Sequence, residues 1–147
     1  MEDLYLFITE FFNKNPHYFE ECDIEIVNKD HGEYGFLFDF KLFEMVVMNI
    51  VINSINYNKS DRPKLKIEFS KNGKNYLIDF IDNGIGVSKS ELKNILKKMY
   101  QVGKTTKGSG LGLYLTQSII KLHKGEIMAL SEGLGKGATI RIKLPIR

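Results

Sequence analysis

Residues 39–57 read DFKLFEMVVMNIVINSINY. Apolar residues occupy nearly every face of this stretch, the pattern of a helix buried against other elements rather than lying on a surface. Asp39 is a good N-cap, because its side chain can accept from the free amides of the first turn, and the helix is expected to run to about Tyr57. Inside the apolar run sit Asn49 and Asn53, one helical turn apart and so on one face. A buried asparagine needs partners for both its carbonyl and its amide, so two of them in an apolar helix are costly unless something fills them. They read either as core asparagines bonding neighbouring loops or as oxygen ligands for a hard cation such as Mg²⁺. Such a cation keeps waters and takes its remaining ligands from phosphates. Tyr57, one turn further on, extends the stripe, and read alone it is equally an amphipathic tyrosine at a helix end.

Outward from this helix, helices and strands interleave. Residues 4–14 (LYLFITEFFNK) carry apolar side chains at helical spacing, and Asn15-Pro16 closes that helix. Ile24, Ile26 and Asn28 alternate with polar residues, and His31-Gly32-Glu33 is expected to turn them into a hairpin with residues 34–38. Residues 64–70 and 75–81 read as two strands joined at Asn72-Gly73, a strong hairpin signal. Ser88-x-x-Glu91 is a capping box expected to open a helix to about Tyr100. A loop over 101–109 precedes a helix from Gly110 to His123. Strands at 125–131 and 139–144 flank a glycine-rich turn, Gly133-Leu134-Gly135-Lys136-Gly137. This order predicts an α+β sandwich, one mixed sheet with helices on one face.

Two further segments stand out. Asp82-Asn83-Gly84-Ile85-Gly86 directly follows an apolar strand. It is either a tight turn or a carboxylate placed at a strand end, with glycines letting a planar base approach the backbone. Residues 104–113, KTTKGSGLGL, place glycines before and inside a helix start. Free N–H groups and the positive end of the helix dipole then point at one spot, an anion site to which Lys104 and Lys107 add charge. The spacing is neither that of the Walker loop nor that of the dinucleotide fingerprint.

Composition bounds the rest. The chain has 147 residues, about one domain. Its 43% hydrophobic and 27% charged residues are those of a globular protein. The apolar run at 46–52 is far short of the roughly 20 residues needed to cross a bilayer. Glu2 and Asp3 stand where a signal peptide carries Lys or Arg, and a single cysteine, Cys22, cannot form an intrachain disulfide. A cytoplasmic location is expected, with the cytosolic part of a membrane-bound sensor as one form of it. A net charge of +3 is too weak to argue for nucleic acid.

Taken in order, the asparagine helix, Asp-x-Gly-x-Gly and the glycine-rich helix start resemble the ATP-binding catalytic domain of sensor histidine kinases. That domain belongs to the superfamily of gyrase, heat-shock chaperone and mismatch-repair ATPases. Phe43-x-x-Val46-Val47-x-Asn49-Ile50-Val51-x-Asn53-Ser54 resembles its N box, Asp82-x-Gly84-x-Gly86 its G1 box, and Gly108-x-Gly110-Leu111-Gly112-Leu113 its G2 box. Gly135-Lys136-Gly137-Ala138-Thr139 followed by Leu144-Pro145 is also similar to the family. The resemblance spans nearly the whole chain and implies a Bergerat ATP-binding fold over residues 1–147, a two-layer α/β sandwich with a mostly antiparallel sheet.

The resemblance also implies roles. Asn53 would bind Mg²⁺ with Asn49 beside it, and Asp82 would accept the adenine amino proton. Gly84 and Gly86 would form the close approach to the base, Thr139 would support it through water, and Tyr57 would lie against adenine or ribose. Backbone amides from Gly110 through Leu111, Gly112 and Leu113 would hold the phosphates. Residues 100–109 would form a lid over ATP that orders when nucleotide binds, with Lys107 on a phosphate and Lys104 and Gly108 beside it. Two departures are visible: Asn56 stands where the family often has Lys or Arg, and the paired phenylalanines before the lid are reduced to Met99-Tyr100.

Position 49 discriminates within the superfamily. Gyrase-like ATPases and anti-sigma-factor serine kinases resemble one another in carrying a glutamate there as general base, and an asparagine amide cannot accept a proton. Glu44 lies about two and a half turns before Asn53 and points to the opposite face. None of the three histidines is followed by an acidic residue, as an acceptor histidine would be. His123 at a helix end reads as a charge suited to the dipole. The expectation is therefore a histidine kinase catalytic domain that uses ATP and Mg²⁺. It lacks a phosphoacceptor dimerisation domain and takes an acceptor histidine in cis or in trans, with a response regulator as indirect partner. No nucleic acid or membrane segment is expected, and the chain should be a monomer in isolation. The alternatives are a serine kinase of the anti-sigma-factor type and a degenerate ATP-binding interaction module.

Overall fold

The computed structural model describes residues 1–97 and 112–146. A short strand β1 (Glu2–Asp3) leads into α1 (Leu4–Lys14) and a 3-10 turn (Pro16–Phe19). Then come β2 (Asp23–Asn28), β3 (Gly35–Phe36), α2 (Phe40–Asn56), and the hairpin of β4 (Lys64–Asn72) and β5 (Asn75–Asp82). After α3 (Lys89–Leu92) and α4 (Gly112–Leu122), the hairpin of β6 (Glu126–Leu130) and β7 (Thr139–Pro145) completes the described chain. Among the described residues the strands form a five-stranded sheet ordered β2-β4-β5-β7-β6 and a separate β1-β3 ribbon. Only β2 and β4 run parallel, and α2 lies in the crossover that such a pair requires. The other neighbours are antiparallel. The expected mixed, mostly antiparallel sheet is present.

Strand alternation assigns the two faces. Ile67 and Phe69 of β4, Ile78 and Phe80 of β5, and Ile140 and Ile142 of β7 join one core with Ile8 of α1, Val47 and Ile50 of α2 and Ile120 of α4. Each such side chain fully removed from water contributes roughly 1.5–3 kcal/mol. The opposite face is polar. Arg141 reaches across to Asp79 with two hydrogen bonds of 2.8 and 2.9 Å, and Glu68 takes both Lys66 and Lys29.

The hairpin expected between residues 24–28 and 34–38 does not form. β2 pairs with β4, Ile26 opposite Ile67, while β3 pairs with β1, Phe36 opposite Glu2. The polar side chains between them explain this. Asn28 donates from Nδ2 to the Gly32 carbonyl at 2.9 Å and accepts the Tyr34 hydroxyl at 3.1 Å, closing a local loop. Asp3 then captures the returning chain, its Oδ2 accepting the Tyr34 amide at 2.9 Å, while its Oδ1 accepts Leu6 N–H at 3.0 Å and caps α1. The buried Tyr34 phenol is pushed up to about 12, chiefly by desolvation.

The helix expected from Ser88 to about Tyr100 also falls short. Ser88 makes no side-chain bond to a backbone amide, and its hydroxyl instead lies 3.5 Å from the Glu91 carboxylate. Without the side-chain cap from Ser88, α3 stops at Leu92 and gives way to tight turns, Asn94 N–H to Glu91 and Lys97 N–H to Asn94. The part of the expected helix beyond residue 97 lies outside the described residues.

Asp3→Ala removes a helix cap and the anchor of the β3 return together. Urea unfolding should show a loss of about 1–2 kcal/mol. A change within a few tenths would mean that neither bond carries stability.

Candidate functional site

Strand β5 ends in Asp82, which follows Ile78 and Phe80 onto the helix-facing side of the sheet. Its Oδ1 accepts two backbone amides, Gly84 and Ala138, each at 2.9 Å. The Asp82 amide donates in turn to the Ala138 carbonyl at 2.9 Å. Burial pushes the Asp82 carboxyl above its ordinary range, and the two amides and the Ser54 hydroxyl pull it back only in part. The group is a carboxylate whose orientation is set by the backbone and whose hydration is largely removed.

The glycines after it are required by close packing. A Cβ on Gly84 would lie 2.6 Å from the Tyr57 carbonyl, the same carbonyl that accepts Ile85 N–H at 2.9 Å and joins the end of α2 to this loop. Gly86 has φ +76°, and a Cβ there would lie 2.2 Å from the Gly133 carbonyl. The backbone that presses on Gly86 therefore belongs to the β6–β7 loop. Gly86 thus meets a backbone-packing requirement and also lines the cavity beside Asp82.

Asp82 borders a cavity of about 20 Å³ lined by Asn53, Tyr57, Gly86, Val87, Ile95, Ala138 and Ile140. That volume holds about one water. Apolar walls with one fixed acceptor at the floor are the chemistry an aromatic heterocycle needs. Thr139 does not line this cavity. It pairs with Ile81 across the strands, shares the polar face with Arg141, and lines a surface depression of about 480 Å³ together with Asp82, Ala138, Glu132 and Lys136. Ala138 and Ile140 take the positions next to Asp82, because a shift of one residue along a strand moves a side chain to the other face.

The stripe on α2 faces the same region. Asn53 and Tyr57 line the cavity. Asn49, one turn earlier, lies against Gly112 of α4, where a Cβ would be 3.8 Å from the Asn49 side chain. Both asparagines are half-buried, and among the described residues neither amide group has a hydrogen-bond partner. Leu113 is buried and anchors α4, leaving Gly112 toward Asn49. Glu44 is exposed, as expected for the opposite side of α2. Lys104, Lys107, Gly108, Gly110, Leu111 and the lid at 100–109 lie outside the described residues. Among those described, no cluster of His, Cys, Asp and Glu could hold a metal, and no helix is long and apolar enough to cross a membrane.

Sequence reasoning missed Ser54, Val87, Ile95 and Ala138. Ser54 is buried and bears on the Asp82 carboxyl. Its one signal was a small hydroxyl beside Asn53 in an apolar helix. Val87 and Ile95 carry no signal that separates a cavity wall from ordinary core.

A mixed sheet packed against α1, α2 and α4, with a half-buried strand-end aspartate facing an asparagine stripe, defines an ATPase-type nucleotide-binding domain. Residues 39–147 match the family described as histidine kinase-, DNA gyrase B- and HSP90-like ATPase, and the chain belongs to that family. It is 33% identical over 107 residues to sporulation kinase B of Bacillus subtilis, covering 73% of this chain and 24% of that protein. It is 30% identical over 142 residues to the signal transduction histidine-protein kinase ArlS of Staphylococcus aureus, covering 94% of this chain and 27% of that one. The chain thus spans about a quarter of these relatives. In fold it is similar to the mycobacterial sensor histidine kinase MprB, with a TM-score of 0.85 at 16% identity over 99% of this chain and 97% of the other.

The raised Asp82 carboxyl has a sign that can be read. A carboxyl whose folded pKa exceeds its unfolded one contributes stability at low pH that is lost as pH rises and the buried group must ionise. Asp82→Asn keeps a carbonyl acceptor without the charge. Its stability relative to the parent should therefore increase from about pH 4 upward through the carboxylate range. Parallel thermal melts at stepped pH check this, and a pH-independent difference would refute the desolvated carboxylate.

Proposed function

We propose that the chain binds Mg²⁺-ATP and donates the γ-phosphoryl group to a histidine on a separate domain or chain, as the catalytic part of a two-component sensor histidine kinase. The observation that carries this reading is the pair of half-buried asparagines on α2, without hydrogen-bond partners for their side-chain amides among the described residues, one beside Gly112 of α4 and the other on the cavity floored by Asp82. The relatives named above are kinases, and the full-length ShkA structure, similar to this chain in fold, is a complex with AMPPNP.

In this reading Asp82 accepts the adenine amino group, Val87, Ile95, Ala138 and Ile140 enclose the ring, and Tyr57 lies against adenine or ribose. The amides of Gly112 and Leu113 hold phosphate oxygens, with Lys104 and Lys107 as added charge. The Asn49 and Asn53 amide oxygens fit Mg²⁺, a cation that prefers oxygen donors and keeps waters. They bring no negative charge, so they hold it only together with nucleotide phosphates, where it neutralises charge on the transferring group. The histidines of this chain lie elsewhere. His17 is exposed and pairs with Glu20 at 2.9 Å, His31 sits in a turn, and both ring nitrogens of His123 face backbone groups.

Calorimetric titration with AMPPNP, with and without Mg²⁺, tests the reading. Micromolar binding strengthened by Mg²⁺ is expected, together with no detectable binding of Mg²⁺ alone. Asn53→Ala should lose most of the Mg²⁺ dependence, and Asp82→Ala should lose the preference for ATP over GTP. Absence of nucleotide binding by the unaltered chain would overturn the kinase reading in favour of an interaction module. Binding without phosphoryl transfer to an added histidine acceptor domain would overturn the transfer step alone.

A further inference from the structure

His123 follows the last turn of α4, and both of its ring nitrogens are engaged. Nδ1 lies 2.8 Å from the Ile119 carbonyl, which can only accept, so Nδ1 carries the proton. Nε2 is then a lone pair, and it accepts the Asp39 backbone N–H at 3.1 Å. The ring stands edge-on to the buried Phe43, with centroids 4.8 Å apart and an interplanar angle of 81°. One neutral imidazole therefore ties the C-terminal end of α4 to the N-cap and first turn of α2. The charged imidazole expected from the helix dipole does not suit this geometry, because it would present a second donor to the Asp39 amide.

The two helices run antiparallel. Asp39 meets His123 at one end of the pair, and Asn49 meets Gly112 at the other. The two ends are about 15–17 Å apart along either axis, at 1.5 Å rise per residue. Apolar burial between the helices is non-directional, whereas the bond from Asp39 to Nε2 has a fixed length and angle. We infer that His123 is a positioning residue of the nucleotide site. It sets the register of α4 against α2, and with it the spacing between the Gly112 and Leu113 amides and the Asn49 side chain. The inference rests on the proposed nucleotide site and adds the device that fixes its geometry.

The test compares the full chain with His123→Phe, which keeps a ring on Phe43 without an acceptor, and with His123→Gln, whose carbonyl can accept the Asp39 amide. His123→Ala runs in parallel as a variant with no ring to clash. Amide NMR shifts of Asp39 and Gly112 are recorded without nucleotide, and affinities for AMPPNP with Mg²⁺ and for adenosine are measured by calorimetry. In the Phe and Ala variants the Gly112 amide should shift and AMPPNP binding should weaken about 3–10-fold, the worth of one net hydrogen bond. Adenosine binding, which uses the Asp82 cavity, should be unchanged, and His123→Gln should restore both readouts. An unmoved Gly112 amide, or equal losses for AMPPNP and adenosine that Gln does not rescue, would overturn the inference. If the unaltered chain bound neither ligand, the nucleotide reading would fall, and with it the positioning role.

Discussion

The carboxylate of Asp82 is the constraint around which the site is arranged. It ends the central strand β5 on the apolar side of the sheet, where water that would solvate it is largely excluded. An unpaired buried carboxylate costs several kcal/mol, and the fold offsets this with two backbone amides and the Ser54 hydroxyl. Those amides arrive from different places, Gly84 in the turn after β5 and Ala138 just before β7. Bringing the second one in demands that the chain pass very close to Asp82, and a Cβ on Gly137 would lie 2.2 Å from the Asp82 carbonyl. The offset is incomplete, so the carboxyl stays above its ordinary range. A fold selected for stability alone would place an apolar residue there. A carboxylate desolvated in this way is a stronger hydrogen-bond acceptor than one in water.

Helix α2 serves two demands that conflict. Phe43, Val46, Val47, Ile50 and Val51 bury its core side almost completely, and this part of the helix would be more stable if the remaining positions were apolar or well solvated. Asn49, Asn53 and Tyr57 are neither. They stand half-buried on the side toward α4 and the cavity. Local rules are broken at positions that line one site, the pattern expected where function rather than folding selects the residue. The same helix receives the His123 bond at its N-cap, so the element that carries the asparagines is also tied directionally to α4.

What could be read in the sequence follows the range of the forces involved. The α2 helix and its Asp39 cap, the β4–β5 hairpin and the β6–β7 pair rest on local periodicity and turn chemistry, and they form as the residues indicate. The partner of β2 could not be read locally. Asn28 and Asp3 divert the chain through bonds to Gly32 and Tyr34, and the strand then pairs with a segment some forty residues later across α2. The asparagine stripe and Asp82 were legible as polar residues out of place. Thr139 is a different case. The alternation of residues 139–144, Thr-Ile-Arg-Ile-Lys-Leu, puts Ile140, Ile142 and Leu144 on the core face and Thr139 on the face of Arg141. The small cavity is bordered by Ala138 and Ile140, while Thr139 shares the neighbouring surface depression with Asp82.

The residue at position 49 links this geometry to the choice of acceptor. Water or a serine hydroxyl must lose a proton as it attacks phosphorus, and a site using either needs a base within hydrogen-bond reach. Asn49 is a neutral amide, and Glu44, the nearest carboxylate on the preceding turns of α2, is exposed on the other side. The Oδ1 of Asp82 is committed to two backbone amides. An imidazole differs from both hydroxyl acceptors, because its neutral form already carries a nitrogen lone pair and needs no base to become a nucleophile. On the proposed function, a site that orients phosphates but offers no base beside them is slow toward water and serine. It is competent toward a histidine presented from outside. The asparagine in place of a glutamate then selects the nucleophile by leaving out the group that the other acceptors require.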